Sequence, residues 1–462
     1  MSSPQEITEA ALAASGADGC VVIAAEHTET NLRWAANALT TNGQMRSRSV
    51  TVISTFERRG GTSAGVVTRS VSTLEEIDDL VRASELAGRE SEPAEDASPL
   101  VEPYAHDDDW DACPAGTSVA VFDTFAPALG AAMRRWHADD RLLFGFAEHQ
   151  LTSYFLATST GLRRRFDQPD GRLEVNGKSA DLVRSAWAGE HTEDFADVDI
   201  DAVADGLAER LHWAATSVEL PSGRYETILP PTAVADLMIY AYWTASARDA
   251  DEGRSVFTAA SGGTRVGEQL STQALQLRSD PAEAGLRCAP FEIATASHAG
   301  IQSVFDNGAP VEPAAWITDG RLSALARTRA WAAHTGAAAR PLVGNLIMHA
   351  PEATASLADM VASTERGLLL TCLWYIREVD PQTLLLTGLT RDGVYLVEDG
   401  KIAGAVNNFR FNESPVDLLG RVTEVGAALP TLPREWGDYF SRAAMPPLRV
   451  PDFNMSTVSQ AF

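Results

Sequence analysis

The chain has 462 residues, 45% of them hydrophobic and 22% charged, which is ordinary globular usage in a length that one hydrophobic core rarely organises alone. With 63 Asp and Glu against 37 Lys and Arg, the formal charge of −26 opposes binding to phosphate backbones and to anionic lipid surfaces, and reads as a solubility device suited to a salty cytoplasm. Cys20, Cys113, Cys288 and Cys372 are too scattered for a disulfide framework or a zinc knuckle, and the N-terminus has neither the basic nor the apolar region of a secretory signal. Apolar runs such as 367–375 fall short of the roughly 20 residues of a membrane span, so a cytoplasmic protein that binds neither nucleic acid nor membrane is expected.

In chain order, Ile7, Ala10, Ala11 and Ala14 share one face of a helix that Gly16 and Gly19 stop. Cys20–Ala25 and Ser47–Phe56 read as strands, 31–39 as a further candidate between them, and Ala64–Thr68 as another after Gly60-Gly61. Thr73-Leu74-Glu75-Glu76 opens a capped helix through about Leu86. From Gly88 to Pro114 the composition turns acidic and Pro-rich, including His106-Asp107-Asp108-Asp109, and predicts a solvated loop without the glycine and terminal Glu of an EF-hand. A helix over 125–137, strands over 141–158, a polar hairpin region over 163–177 and an amphipathic helix over 199–214 complete an N-terminal α+β domain, residues 1–220, in which antiparallel strands are flanked by helices.

Pro221-Ser222-Gly223 marks the boundary to a β-rich domain, residues 221–462. Tyr225–Leu229 reads as a strand and 232–247 as its one central helix, while 291–303 and 314–325 carry short strands. Towards the end, 368–374, 383–387, 393–397, 401–407 and 410–412 are short strands cut by Asp392-Gly393 and Glu398-Asp399-Gly400, as an antiparallel sheet or partial barrel requires.

Several of these segments, in this order, resemble the TldD/PmbA family of paired peptidase subunits. They are Ser222–Pro231, Glu252–Phe257, Cys288–Phe291 with Ser303–Gly308, Glu365–Thr371, Tyr395–Ile402 and Pro447–Val450. The resemblance covers residues 222–454, and the N-terminal half matches only in its helix-strand pattern. In the peptidase-competent TldD subunit the central helix carries His-Glu-x-x-x-His, and a cysteine near the C-terminus completes a zinc site; the metal lowers the pKa of its water to about 7 and the Glu takes the proton. Carried onto this chain, the His, Glu and His positions fall on Ile239, Tyr240 and Thr244, or one residue earlier on Met238, Ile239 and Trp243. Neither register supplies a ligand, and no cysteine follows Cys372.

What the resemblance implies is a TldE/PmbA-type subunit without the zinc motif: no catalytic, cofactor or metal residue of its own, zinc in a TldD-type sister subunit, and a peptide substrate enclosed between the two. A homodimer is left open. The apolar side chains at the degenerate positions read as packing. Glu148-His149 and Glu190-His191-Thr192-Glu193-Asp194 have no partner motif that would make them a metal site, although the His191 and His298 neighbourhoods are where an independent hydrolase would hide its ligands. A self-associating peptide-binding protein is the third reading.

Overall fold

Alternation of apolar and polar residues sets up the first layer. The computed structural model describes residues 2–71, 73–104, 107, 109–298 and 300–459, and it has an α+β fold. The N-terminal elements are α1 (Pro4–Ala14), β1 (Gly19–Ala35), β2 (Ala38–Arg58), β3 (Gly61–Arg69), α2 (Ile77–Glu90), α3 (Phe125–Ala138), β4 (Arg141–Thr158), β5 (Arg163–Ser179), β6 (Ser185–Thr192) and α4 (Ile200–Trp213). The strands form one antiparallel sheet in the order β3-β2-β1-β4-β5-β6.

The strands are longer than their apolar stretches predict. The candidate strand over 31–39 is the far end of β1 and its hairpin, where Ala36 and Asn37 take positive φ (48° and 64°), the combination a tight two-residue hairpin turn demands. Likewise the polar region over 163–177 is no hairpin but the single strand β5, paired along its length with β4. Its charges mark one face rather than a turn.

Period two divides the sheet into two faces. Cys20, Val22, Ala24, Leu32 and Trp34 of β1 pack under the four helices, as do Leu143 and Phe155 of β4 and Leu173 and Val175 of β5. The opposite residues, Val21, Ile23, Ile53 and Leu156, meet Phe291, Val304 and Phe305 from the second half of the chain. Helix α2 approaches β3 through two glycines: a Cβ on Gly65 would collide with the backbone of Ser84 and Gly88. The acidic segment after α2 is pinned as well as solvated. The Asp107 carboxylate accepts from Arg164 Nε (3.0 Å) and the Arg165 amide (2.6 Å), Asp109 accepts from Arg165 Nη1 (2.6 Å), and Trp110 is buried beneath them. His106 and Asp108 lie outside the described residues.

From β7 (Ser217–Val218) onward the chain builds two further sheets. One has the order 321–322, 314–318, 276–279, 346–349, 443–445, 429–431. The other is ten-stranded, in the order 373–380, 385–390, 409–413, 448–458, β8 (Gly223–Leu229), 366–370, 394–398, 401–406, β7, with 424–425 beside 448–458. The sheets are not purely antiparallel, because β8 with 366–370, β7 with 401–406 and 346–349 with 443–445 pair in parallel. A shared core joins the two sheets. Short helices at 329–335, 357–362 and 415–419 accompany the central one.

Two expectations fail locally for one reason, that other groups take the backbone. Among the described residues of the predicted strands over 291–303 only isolated bridges form, Phe291 with Pro310 and His298 with Gln302; between them the Asn307 side chain accepts from the Ala294 amide (2.6 Å) and donates to the Ala294 and Val304 carbonyls (2.8 and 3.0 Å). The central helix α5 spans Pro231–Trp243 rather than 232–247. Pro231 starts it at the first helical position, and the Thr244 hydroxyl closes it by donating to the Tyr240 and Ala241 carbonyls. Beyond, Ala245 and Ala247 exchange backbone bonds with Ala326 before a separate turn of helix at Ala247–Asp251.

Candidate functional site

Helix α5 is mostly apolar and buried on most of its surface, as a helix set between two sheets must be, with Tyr240 and Trp243 only partly covered. Ile239, at the first degenerate position, is fully buried among the core side chains, and so is Met238 of the alternative register. Tyr240 is half-buried, with its ring 5.5 Å from that of Trp436, and Thr244 is the helix-closing residue. Ile239 therefore faces the core, while Tyr240 and Thr244 are only partly buried. These residues do not fit a zinc ion, and among the described residues no three His, Cys, Asp or Glu side chains gather closely enough to hold any metal. Cys372 is completely buried, and burial pushes its thiol far up.

Asp236 lies one turn before Tyr240 and is fully buried. Its Oδ1 accepts from the Glu435 amide (2.8 Å), its backbone carbonyl accepts from Trp436 Nε1 (2.8 Å), and burial holds its carboxyl well above the usual carboxylate range. Through it α5 grips the segment 434–440. Glu435 passes the connection on, accepting from the Tyr375 and Ile376 amides (2.9 and 3.1 Å) and from Arg377 Nη1 (3.1 Å). Arg434 places its guanidinium 3.8 Å from the Trp374 ring centre and 5.0 Å from that of Trp187, with Glu174 at 3.3 Å.

A cavity of about 670 Å³ opens over this segment, and Trp243 of α5 lines it. It adjoins a cleft of about 1300 Å³ through the shared walls Trp374 and Arg434. One wall of the cleft is the helix-free face of the first sheet, where Phe144, Asn176 and Lys178 point away from α3 and α4 by the same alternation that buries Leu143 and Val175. The other wall is the ten-stranded sheet around Asp392–Tyr395 and Ala405–Asn408. Ser185 donates its hydroxyl to Asp392 across the gap.

On the far side of Trp243 lies a third space of about 310 Å³, between Tyr154, Tyr242, Glu292 and Arg442. Burial raises the Glu292 carboxyl to about 7, and Gln302 Nε2 donates to it at 2.9 Å. Burial likewise raises the Tyr242 hydroxyl, which spans the Val343 carbonyl (3.1 Å) and amide (2.7 Å).

The histidine neighbourhoods do not assemble into sites. His149 is held by Thr117 Oγ1 and the Glu193 carbonyl, both at 2.7 Å, and Glu148 accepts from Arg172 Nε (3.0 Å). His191 is buried 3.5 Å from Asp170, whose carboxylate also takes Ser441 Oγ (2.6 Å) and Arg442 Nη1 (3.1 Å). His298 joins the loop by backbone bonds to Gln302. The cleft residues Lys178, Trp374, Tyr395, Asn407 and Arg434 escaped the sequence reading. The alternation Arg172-Leu173-Glu174-Val175-Asn176 was the one signal available, and it marks a wetted strand face without saying what that face meets.

A family model described as PmbA/TldA metallopeptidase C-terminal domain matches residues 222–457. Among solved structures, TldE from Thermococcus kodakarensis superposes with a TM-score of 0.78 at 14% identity, over 97% of this chain and 99% of that one. A proposed modulator of a DNA gyrase from Thermotoga maritima gives 0.76 at 17% identity, over 97% and 99%. Another, from Bacteroides thetaiotaomicron, gives 0.74 at 14% identity, over 98% of both chains. No curated protein sequence matches at a significant level. At these identities the structural likeness speaks for the fold.

Proposed function

The chain belongs to the PmbA/TldD metallopeptidase family, and from that premise we propose that it is the non-catalytic subunit of a TldD/TldE-type heterodimeric zinc peptidase that processes or degrades unfolded peptides in the cytoplasm. The observation that carries the reading is the central helix itself. At the positions where an active sister would hold its ligands and base, this chain has a core-packed Ile239, a Tyr240 packed at a tilt against Trp436, and a Thr244 spent on closing the helix. None can bind zinc as an imidazole does or take a proton from a metal-bound water. The two larger spaces are walled by aromatic and charged side chains, which suits holding a peptide more than cutting one.

In this role the subunit closes a chamber and positions an extended peptide, while the sister supplies zinc, the activated water and the base. Excluding bulk water strengthens every charged contact inside such a chamber. The strong negative charge keeps nucleic acids and anionic membranes away from the outer surface. Among the described residues no helix is long and apolar enough to cross a membrane.

The test is elemental analysis of the purified chain after dialysis, followed by a peptide-cleavage assay with and without a His-Glu-x-x-x-His sister. The expected result is zinc near zero, co-purification with the sister, and chelator-sensitive cleavage only by the pair. Zinc near one per chain, or cleavage by this chain alone, would refute the reading and restore an independent hydrolase. A stable homodimer that ignores the sister would favour a self-associating peptide-binding protein.

A further inference from the structure

We propose that the large cleft between the first sheet and the ten-stranded sheet is a carboxylate-binding subsite for acidic peptide, a specificity that rests on the peptide-handling reading above. Three observations converge. The first is charge. In a protein of formal charge −26, this cleft is lined by four cations, Lys178, Arg184, Arg391 and Arg434, against two carboxylates, Glu219 and Asp392. Lys178, one of only two lysines in the sequence, makes no ion pair among the described residues and stands over the Phe144 ring at 5.5 Å.

The second observation is the polarity of the unsatisfied groups. Buried polar atoms are almost always hydrogen-bonded, so those without a partner point to what a site expects. Trp374 Nε1, Tyr395 Oη, Asn407 Nδ2 and Arg434 Nε are all buried without a partner, and all four residues line this cleft. Each can donate. The Asn407 orientation is fixed chemically, because its Oδ1 already accepts from the Leu220 amide at 2.7 Å, which leaves the NH₂ free to donate. Tyr395 is only 1% exposed, and burial raises its hydroxyl to about 12, so it stays protonated. Four residues of the wall thus hold a spare buried donor and none holds a spare buried carboxylate or amide oxygen, which favours an acceptor-rich, negatively charged occupant over a cation.

The third observation is rigidity. Arg434 is clamped between Trp374 and Trp187 and paired on one edge by Glu174, which fixes the plane of its guanidinium. A guanidinium held in a fixed plane is matched to a carboxylate. The same segment continues through Glu435 to the Asp236 anchor of α5, so the subsite is mechanically tied to the central helix. A peptide fits better than a nucleic acid, since the rest of the surface repels polyanions and the aromatic walls are interleaved with single donors.

The experiment is fluorescence anisotropy with three labelled probes: a Glu/Ala peptide amidated at its C-terminus, an Ala/Ser peptide with a free C-terminus, and the same Ala/Ser peptide amidated. The first two distinguish side-chain carboxylates from the terminal carboxylate, and binding to either with less to the third is the expected result. Affinity should fall as salt is raised. Two near-isosteric variants keep the fold. Asn407→Asp retains the acceptor for Leu220 but turns the donor into an anion, and should weaken binding tenfold or more; Tyr395→Phe should weaken it about fivefold. Equal binding of all three probes, undiminished binding by Asn407→Asp with an unchanged thermal melt, or preference for an oligonucleotide would overturn the proposal. A zinc-free chain that pairs with its sister yet ignores the acidic probes would sink this inference alone. Carboxylate binding by a chain that takes up zinc would leave it standing and sink the subunit reading.

Discussion

Glu292 is a buried acid whose ionisation should be visible in the stability of the whole protein. Its side chain is 6% exposed, receives one hydrogen bond from Gln302 and has Asp306 nearby, and burial lifts its pKa from 4.5 to about 7. Below pH 4.5 both folded and unfolded chains carry the proton, and the group contributes nothing to the pH dependence. Between 4.5 and about 7 the unfolded chain has lost the proton while the folded chain keeps it, so stability falls as pH rises. Above about 7 both are ionised and the penalty is constant, at about 3 kcal/mol, because each tenfold change in the acid's ionisation equilibrium on burial costs about 1.4 kcal/mol. Glu292→Gln keeps an oxygen to accept from Gln302 and removes the titration. The difference in stability between variant and parent should therefore swing by about 3 kcal/mol in the variant's favour between acid and mildly alkaline pH. Parallel urea denaturation at a series of pH values measures this, and Glu190, raised to about 7 by burial as well, cancels in the difference. A difference that stays flat across the window would show that Glu292 is solvated and that the packing around the smallest of the three cavities is loose enough to admit water.

Rebuilding the family motif with Ile239→His, Tyr240→Glu and Thr244→His should not create a zinc site, because residue 239 points into the core. Elemental analysis should stay near zero, while the melt falls by several degrees from burying an imidazole, an effect of about 2–4 kcal/mol. Asp236→Asn removes a buried acid but keeps the acceptor for the Glu435 amide, so at neutral pH the thermal midpoint should hold or rise; a large loss would mean that the carboxyl is ionised and paired. Gly65→Ala forces a methyl into the backbone of α2 at Ser84 and Gly88, and a loss of about 1–3 kcal/mol is expected in the same denaturation assay.

Much of the architecture was legible because local signals carried it. Thr73 with Glu76 forms the capping box that leads into α2, and Asp392-Gly393 and Glu398-Asp399-Gly400 break strands where the chemistry of turns says they should. The identities of Ile239, Tyr240 and Thr244, on which the proposed loss of zinc ligands rests, are equally local and hold whatever the fold does. Strand lengths were less legible, since β1 and β5 run on through polar residues once neighbours satisfy their backbones, and 291–303 keeps only isolated bridges around the Asn307 side chain from the same loop.

The sequence by itself determined many of the element types, the acidity and the lack of His, Glu and Cys on α5, because composition, period and turn residues act over a few neighbours along the chain. Only the tertiary structure decided that Lys178, Trp374, Tyr395, Asn407 and Arg434 surround one cleft, because those residues are separated by up to 256 positions (434 − 178) and meet only when two sheets face each other. A site assembled from opposing strand faces has no contiguous signature. Its donors become partnerless, and so informative, only after burial has taken water away from them.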